Sequence, residues 1–172
     1  MAAAMARRPL TAIYCSTLRR ARDTALAIAR HHGLTPVEIH DLREIETWRD
    51  MPQDKTVQEY LGANYLAALR ERMIAERDWD VYPYSESMAE FRRRTINAIE
   101  AALAAHPAAR IAIVCHGAVI NAYTGHLIGS PYGMYFRPAH ASISLVAAGH
   151  GRRALRSLND VSHLAADGLE TY

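Results

Sequence analysis

The sequence predicts an α/β fold with a mainly parallel sheet. Short runs rich in β-branched and aromatic residues alternate with longer segments in which apolar residues recur at helical spacing. Residues 111–115 are apolar without interruption, which is typical of a parallel strand covered on both faces. Strands that alternate with helices place those helices on the two sides of a sheet, and this pattern excludes an all-helical or all-β domain.

The first half of the chain predicts a strand, a helix and a second strand. The strand covers residues 11–15, and a helix follows over residues 18–32, where Gly33 supplies a C-terminal stop. Residues 36–39 form a short second strand. A further helical region spans residues 56–77, with a break expected at its single glycine, Gly62.

The second half continues the alternation and closes with a hairpin. Ser87 and Glu90 have the spacing of a capping box, so a helix begins there and extends to about residue 106. The strand 111–115 follows, and then a helix over residues 118–128. The last two predicted strands, residues 142–146 and 154–158, are joined through glycines and form a hairpin.

Length and composition indicate one domain, residues 1–172, with residues 49–85 as a lid or insertion rather than a second domain. The two cysteines are too few for a disulfide-stapled secreted scaffold, and the N-terminus does not resemble a signal sequence. No apolar run approaches the roughly 20 residues that cross a bilayer. We therefore expect a soluble, cytoplasmic protein that does not bind a membrane.

The charge pattern argues against nucleic-acid binding. The net charge is only +2, and the basic residues are arginines apart from Lys55. These arginines are scattered among acidic residues and lack the interleaved aromatic side chains of base-stacking modules. We therefore expect no nucleic-acid partner.

His116 is the first candidate functional residue. It directly follows the buried strand and precedes Gly117 and a helix, so it lies at the carboxyl edge of the sheet, where open α/β folds bind ligands. Free backbone N–H groups and the helix dipole favour an anion there, and an imidazole adds a charge or a proton. The structural alternative is a histidine that only caps the helix.

Arg20 and Glu44 are the other two candidates. Arg20 lies in the first turn of the helix after the first strand, where a guanidinium can bind phosphate oxygens through two parallel hydrogen bonds. Basic charge at a helix N-terminus is unfavourable for the dipole, so it needs a reason beyond stability. Glu44 follows the second strand, and burial would make it a general acid, although a salt-bridged surface acid is the alternative.

Two other chemistries have little support in the sequence. No histidine pair has the spacing of a metal site and there is no Cys-x-x-Cys motif, so neither a metal nor another cofactor is predicted. Cys115 adjoins His116, but adjacent side chains of a strand point to opposite faces, which disfavours a thiolate mechanism.

These fragments together resemble the histidine phosphatase superfamily, which is also called the phosphoglycerate-mutase-like family. The resemblance covers nearly the whole chain, and its five motifs occur in the order of the family. They are Ser16-x-Leu18-x-Arg20-Ala21-x-x-Thr24-Ala25, Leu42-x-Glu44, Glu86-Ser87-x-x-x-Phe91-x-x-Arg94, Val114-x-His116-Gly117 and Leu158-Asn159-Asp160-x-x-His163-Leu164.

The resemblance implies a three-layer α/β sandwich and phosphoryl transfer through a phosphohistidine. One histidine attacks phosphorus, a second histidine and two arginines neutralise the equatorial oxygens, and a carboxyl protonates the leaving oxygen. By position, Arg20 corresponds to a phosphate arginine, His116 to the second histidine and Glu44 to the proton donor. Gly117 would allow close approach of the backbone to the phosphate.

The chain departs from the family in one respect. The signature Arg-His-Gly, which ends the family's first, central strand and holds the nucleophile, does not occur here, because residues 30–33 end a helix instead. The chain thus resembles the family without its first strand, and catalysis is expected to be lost or lowered by several orders of magnitude. The sheet would have an unfilled slot, which another segment or a partner chain, such as the second copy of a homodimer, should occupy.

Two functions follow from this reading. The first is hydrolysis of a phosphomonoester, with a small phosphorylated metabolite as the substrate; mutase activity is less expected, because residues 49–85 are short for a substrate-retaining lid. The second is a non-catalytic domain that binds phosphorylated ligands or serves in assembly through the remaining half of the pocket.

Overall fold

The computed structural model describes residues 1–149, 151–165 and 168. Its strands and helices alternate as an α/β domain, and two short 3-10 turns at His40–Leu42 and Trp79–Val81 separate some of them. The strands are β1 (Ala12–Ser16), β2 (Val37–Ile39), β3 (Ile111–Val114), β4 (Ile143–Gly149) and β5 (Arg152–Asp160). The helices are α1 (Ala2–Ala6), α2 (Arg19–Ala29), α3 (Val57–Leu61), α4 (Ala63–Glu76), α5 (Met88–Ala104), α6 (Gly117–Ile128) and α7 (Ser162–Ala165).

The centre of the domain is a three-stranded parallel sheet with the order β2-β1-β3. Tyr14 is in register with Val37 on one side and with Ile113 on the other. Because β1 pairs along both of its edges, its backbone groups are satisfied inside the protein. The parallel sheet predicted from the uninterrupted apolar runs is confirmed.

Helices cover both faces of this sheet. Successive side chains of a strand point to opposite faces, and Ile13 and Cys15 accordingly pack with the helices α1 and α2 in one cluster. Tyr14 and Ile113 pack in a second cluster with α5 and α6, around the fully buried Phe91. The result is a three-layer arrangement of helices, sheet and helices, as the family resemblance implies.

The hairpin of β4 and β5 forms a second, separate sheet. Its strands are antiparallel and are joined through Gly151, whose φ of +70° favours glycine. Among the described residues, β3 pairs only with β1 and β4 pairs only with β5. Ile143 at the start of β4 nevertheless packs in the same cluster as Ala112 of β3. The two sheets therefore lie close together without a hydrogen-bonded ladder between them.

The predicted element boundaries agree with the structure to within about three residues. Gly62, with a φ of +78°, separates α3 from α4 as expected, and Gly129 ends α6 in the left-handed conformation. The capping box at Ser87 is only half formed, because the Glu90 carboxylate lies 3.5 Å from the Arg49 guanidinium. No helix of the described residues is long and apolar enough to cross a membrane.

The segment 49–85 begins and ends at one narrow neck. The Asp50 amide donates to the Tyr84 carbonyl at 2.9 Å, and the Trp48 amide donates to Ser85 Oγ at 3.0 Å. Within the segment Met51, Leu69 and Val81 are buried. The segment also contacts the domain away from this neck, because the Met134 amide donates to the Arg77 carbonyl at 3.0 Å and Trp79 packs against the core cluster around Phe91.

Candidate active site

The candidate site lies at the carboxyl ends of β1 and β3. His116 is the N-cap residue of α6, with extended backbone angles, so its side chain is fixed where β3 turns into the helix. Arg20 occupies the first turn of α2, directly after β1. The loop after β2 brings Glu44 to the N-terminus of α6. Parallel strands end at the same edge of a sheet, so residues far apart in sequence meet here.

The His116 imidazole is buried and has an unsatisfied nitrogen. The residue is 6% exposed, and its Nε2 atom has no hydrogen-bond partner among the described residues. Burial first, and then the positive charges of Arg20 and Arg94, lower the pKa of His116 to about 4. The ring is therefore neutral near pH 7, and a buried polar atom without a partner is costly. The Nε2 atom of His116 is therefore suited to form a hydrogen bond with a ligand.

Arg20 is exposed, and its guanidinium forms neither a hydrogen bond nor an ion pair with the part of the chain that the structure describes. Its charge acts on the carboxyl of Glu44 and on the imidazole of His116. The neighbouring Arg19 instead pairs with Asp23 on the same helix, at 3.3 Å. The structure thus places Arg20 near enough for its charge to act on the His116 imidazole, and among the described residues neither the guanidinium nor Nε2 of His116 has a hydrogen-bond partner.

Glu44 is partly buried against the start of α6. Its carboxylate oxygens accept the Ala118 amide at 3.1 and 3.3 Å, and one of them also accepts the Ile45 amide at 3.1 Å. Burial raises the pKa of Glu44, while these two hydrogen bonds and the charges of Arg20 and Arg94 oppose that rise without cancelling it. A carboxyl with a raised pKa retains a proton closer to neutral pH than an exposed one.

Gly117 lies between the Glu44 carboxylate and Pro138. A Cβ atom built there would lie 3.8 Å from Glu44 Oε2 and 3.8 Å from Pro138 Cδ, which are ordinary van der Waals distances. The protein itself therefore does not require glycine at this position. A side chain at this position would lie directly beside the Glu44 carboxylate.

Comparisons with known proteins identify the family that has this arrangement. The family model described as histidine phosphatase superfamily (branch 1) matches residues 1–161. The chain belongs to this superfamily. The five motifs quoted from the sequence had predicted that membership, and the model match confirms it.

One curated relative and several solved structures are similar to this chain. A metal-independent phosphoserine phosphatase of Arabidopsis thaliana is 28% identical over 167 residues, covering 92% of the chain and 65% of the relative. The chain thus spans less than two thirds of that relative's length. YhfR of Bacillus stearothermophilus has a TM-score of 0.77 at 19% identity, covering 95% of this chain and 80% of the other. A mycobacterial glucosyl-3-phosphoglycerate phosphatase has a TM-score of 0.73 at 21% identity, with coverages of 92% and 80%.

Sequence reasoning singled out Arg94 and Glu86 only as parts of a motif and gave them no role. The Arg94 guanidinium forms a two-pronged ion pair with the Glu86 carboxylate, at 2.6 and 2.7 Å. It also donates to three backbone carbonyls of the loop that holds Glu44. The only sequence signal for this contact is the presence of both residues in one motif, because the bonded loop lies about 50 residues away.

Asn121 is a second site-shaping residue that the sequence did not reveal. It is 1% exposed, and its amide donates to the carbonyls of Gly117 and Phe136 at 3.0 Å. Its oxygen accepts the Tyr135 and Phe136 amides. Asn121 thereby fixes the loop that carries Pro138 against Gly117, which forms one wall of the pocket.

The described residues do not form a metal site. Across residues 1–149, 151–165 and 168, no three His, Cys, Asp or Glu side chains form a group that could hold an ion. Cys115 is unsuited to nucleophilic attack, because burial, followed by the negative charge of Glu44, raises the pKa of its thiol to about 12.

Proposed function

We propose that this histidine phosphatase hydrolyses a small phosphomonoester at the pocket formed by Arg20, His116, Gly117 and Glu44. The observation that carries the proposal is the unpartnered Nε2 of the buried His116, beside the unpaired Arg20 guanidinium. Two side chains meet at the N-terminus of α6, namely the Arg20 guanidinium and the His116 imidazole, while the Ala118 amide already donates to Glu44. A phosphoryl dianion binds both side chains at once.

Each of these groups has a distinct role in the proposed reaction. A histidine nitrogen attacks phosphorus and the bond to the leaving oxygen breaks, while Arg20 and His116 stabilise the charge on the remaining oxygens. Glu44 gives its proton to the leaving oxygen. Water then attacks the phosphohistidine and transfers a proton back to the Glu44 carboxylate, which frees inorganic phosphate and restores the enzyme.

We further propose that a segment outside these 172 residues supplies the nucleophilic histidine. Two features support this: among the described residues, β3 and β4 each have an edge without a strand partner and lie close to each other, and the sequence has no Arg-His-Gly motif after a strand. A cleft of about 690 Å³ separates α1 from the start of β4, with Arg7, Ile143, Asp160 and His163 among its lining residues. A strand placed along the edge of β3 would bring its carboxyl end to His116.

The substrate class is a phosphorylated metabolite rather than a nucleic acid or a membrane lipid. The relatives are named for phosphoserine and for glucosyl-3-phosphoglycerate, both of which are small phosphate esters. We propose that segment 49–85 covers such a substrate as a lid, since its neck lies next to the Glu44 loop. A cytoplasmic location is supported by the two free cysteines, and a homodimer is a further way to cover the open sheet edges.

The test measures binding and turnover separately. The 172-residue chain is titrated with inorganic phosphate by calorimetry and assayed with p-nitrophenyl phosphate. Both measurements are repeated on a chain extended by the in-frame codons upstream of Met1. We expect both chains to bind phosphate. Turnover of p-nitrophenyl phosphate should be confined to the extended chain, or be far faster in it, and His116→Ala should abolish that turnover.

Other outcomes identify the alternative functions. Phosphate binding without turnover by either chain would support a non-catalytic phospho-ligand domain. If neither chain binds phosphate and Arg20→Ala changes nothing, the domain serves in assembly and the proposed hydrolase is wrong.

A further inference from the structure

The Arg94 side chain is saturated with hydrogen bonds to one loop and one carboxylate. Its Nη1 atom donates to the carbonyls of Asp41 and Arg43 at 2.7 and 2.9 Å, and its Nη2 atom donates to the Glu44 carbonyl at 3.3 Å. Its Nε and Nη2 atoms also bind the two oxygens of Glu86. Arginine alone offers donors in such a planar fork. Arg94 thus connects α5 directly to the backbone that carries Glu44.

Glu86 extends this connection to the neck of segment 49–85. Its Oε2 atom accepts the Glu46 amide at 3.3 Å, and its own amide donates to the Glu46 carbonyl at 2.9 Å. The Glu86 side chain is 3% exposed and that of Arg94 is 16% exposed, so water does not compete effectively for these bonds. The backbone on both sides of Glu44 is therefore bonded to this one ion pair.

We propose that Arg94 and Glu86 are positioning residues that hold the Glu44 carboxyl against the N-terminus of α6. This inference rests on the proposed function, in which that carboxyl donates the proton. Neither residue needs to touch the substrate for this role. Arg94 acts through the geometry of its fork rather than through its charge alone, because it binds the Glu44 carbonyl and two carbonyls that precede it, those of Asp41 and Arg43.

The Arg94→Lys variant distinguishes the role of the guanidinium geometry from the role of the positive charge. Lysine keeps the positive charge but cannot bind three carbonyls and both Glu86 oxygens together. The loop then opens, and Glu44 moves from its buried position into water. Burial is what raises the pKa of Glu44, whereas the charges of Arg20 and Arg94 lower it. The titration of Glu44 therefore distinguishes the two roles.

The experiment follows the Glu44 carboxyl by carbon NMR in the ligand-free 172-residue protein, with the signal assigned from its absence in Glu44→Gln. We expect the pKa of Glu44 to lie above the usual value in the parent protein and to fall toward about 4.3 in Arg94→Lys. Hydrogen exchange of the Ala118 amide, which donates to Glu44, should accelerate at least tenfold. Glu86→Gln should shift both quantities in the same direction.

Arg92→Lys is the matched control. Arg92 lies on the same helix and also donates to two backbone carbonyls, those of Pro131 and Tyr132, away from Glu44. This variant should leave the Glu44 titration and the Ala118 exchange unchanged. Global loosening of α5 would alter all three variants alike, and that result would overturn the proposal.

The proposal is also overturned if folded Arg94→Lys and Glu86→Gln retain the parent titration and the parent exchange rate. Should Arg94→Lys not fold, the milder Glu86→Gln decides the question on the same two measurements. Because these readouts need neither ligand nor turnover, their failure is distinct from a failure of phosphate binding, which would instead contradict the proposed function.

Discussion

The two sides of the site differ in how their polar groups are satisfied. On the side of Glu44, the polar groups are hydrogen-bonded within the protein. The Glu44 carboxylate accepts the Ala118 amide, and Arg94 donates to the Arg43 carbonyl and to the Glu86 carboxylate. On the opposite side, His116 Nε2 and the Arg20 guanidinium have no partners among the described residues. The first side is scaffold, and removing a group there costs stability. The second side is the one that we propose binds the ligand, and removing a group there should weaken ligand binding.

Arg94→Met should produce the largest loss of stability. It leaves the Glu86 carboxylate buried without its partner, and breaking a buried ion pair in this way costs about 3–5 kcal/mol. Denaturant unfolding measures the change in the free energy of unfolding. Arg72→Met, which removes an exposed ion pair with Glu76, should cost far less, because water screens an exposed pair. Equal losses in the two variants would contradict the assignment of Arg94 to the scaffold.

Arg20→Ala should instead weaken phosphate binding with little effect on stability. Charge-assisted hydrogen bonds contribute about 1.5–3 kcal/mol, so the dissociation constant for inorganic phosphate should rise roughly 10- to 100-fold. Calorimetry gives the affinity, and thermal unfolding gives the stability. Arg19→Ala is the control, because the neighbouring guanidinium pairs with Asp23. A similar loss of affinity in both variants would mean that phosphate responds to the overall positive charge of the helix and not to a specific contact with Arg20.

Sulfate binding should be accompanied by proton uptake at His116. The pKa of His116 is about 4 in the empty site, and a nearby dianion favours the protonated ring and raises that pKa. Calorimetric enthalpies at pH 5.5, measured in buffers of different ionisation enthalpy, report the uptake. Repeating the measurement in Glu44→Gln removes the contribution of Glu44 to the proton uptake. Enthalpies independent of the buffer in that variant would show that the anion does not contact the ring.

Glu44→Gln should have the smallest effect, a change in stability whose size depends on pH. The folded pKa of Glu44 is raised, so the folded state holds its proton more tightly than the unfolded chain. The parent protein therefore loses stability as pH rises from about 4.3 through the folded pKa. Relative to the parent, the glutamine variant should be more stable at pH 8 than at pH 4. A constant difference across this range would mean that Glu44 titrates normally.

Much of the fold could be predicted from local patterns. The alternation of apolar runs and helical periods placed β1, β3, α5 and α6 to within about three residues, because these elements are decided by burial on one or two faces. The capping box at Ser87 was half wrong, since Arg49 competes for the Glu90 carboxylate. A pattern within one helix does not contain that competitor, which comes from a distant segment.

The site was predictable in its residue types and not in its bonding. Strand ends and motif spacing indicated Arg20, Glu44 and His116, and the fold brings these three together. The function of Arg94 depends on carbonyl groups near residue 44, and every residue has a carbonyl. Sequence therefore carries no mark of which carbonyls a guanidinium will bind, and only the folded chain supplies that information.

The central claim is that Arg20 and His116 bind one oxoanion together. Nitrogen NMR of the His116 ring during titration with inorganic phosphate tests it directly, in the parent protein and in Arg20→Ala. The account predicts that phosphate shifts the Nε2 signal and raises the pKa of His116 above 4, and that Arg20→Ala weakens this response at least tenfold. A ring signal that saturating phosphate leaves unchanged, or a response that does not depend on Arg20, would contradict the claim.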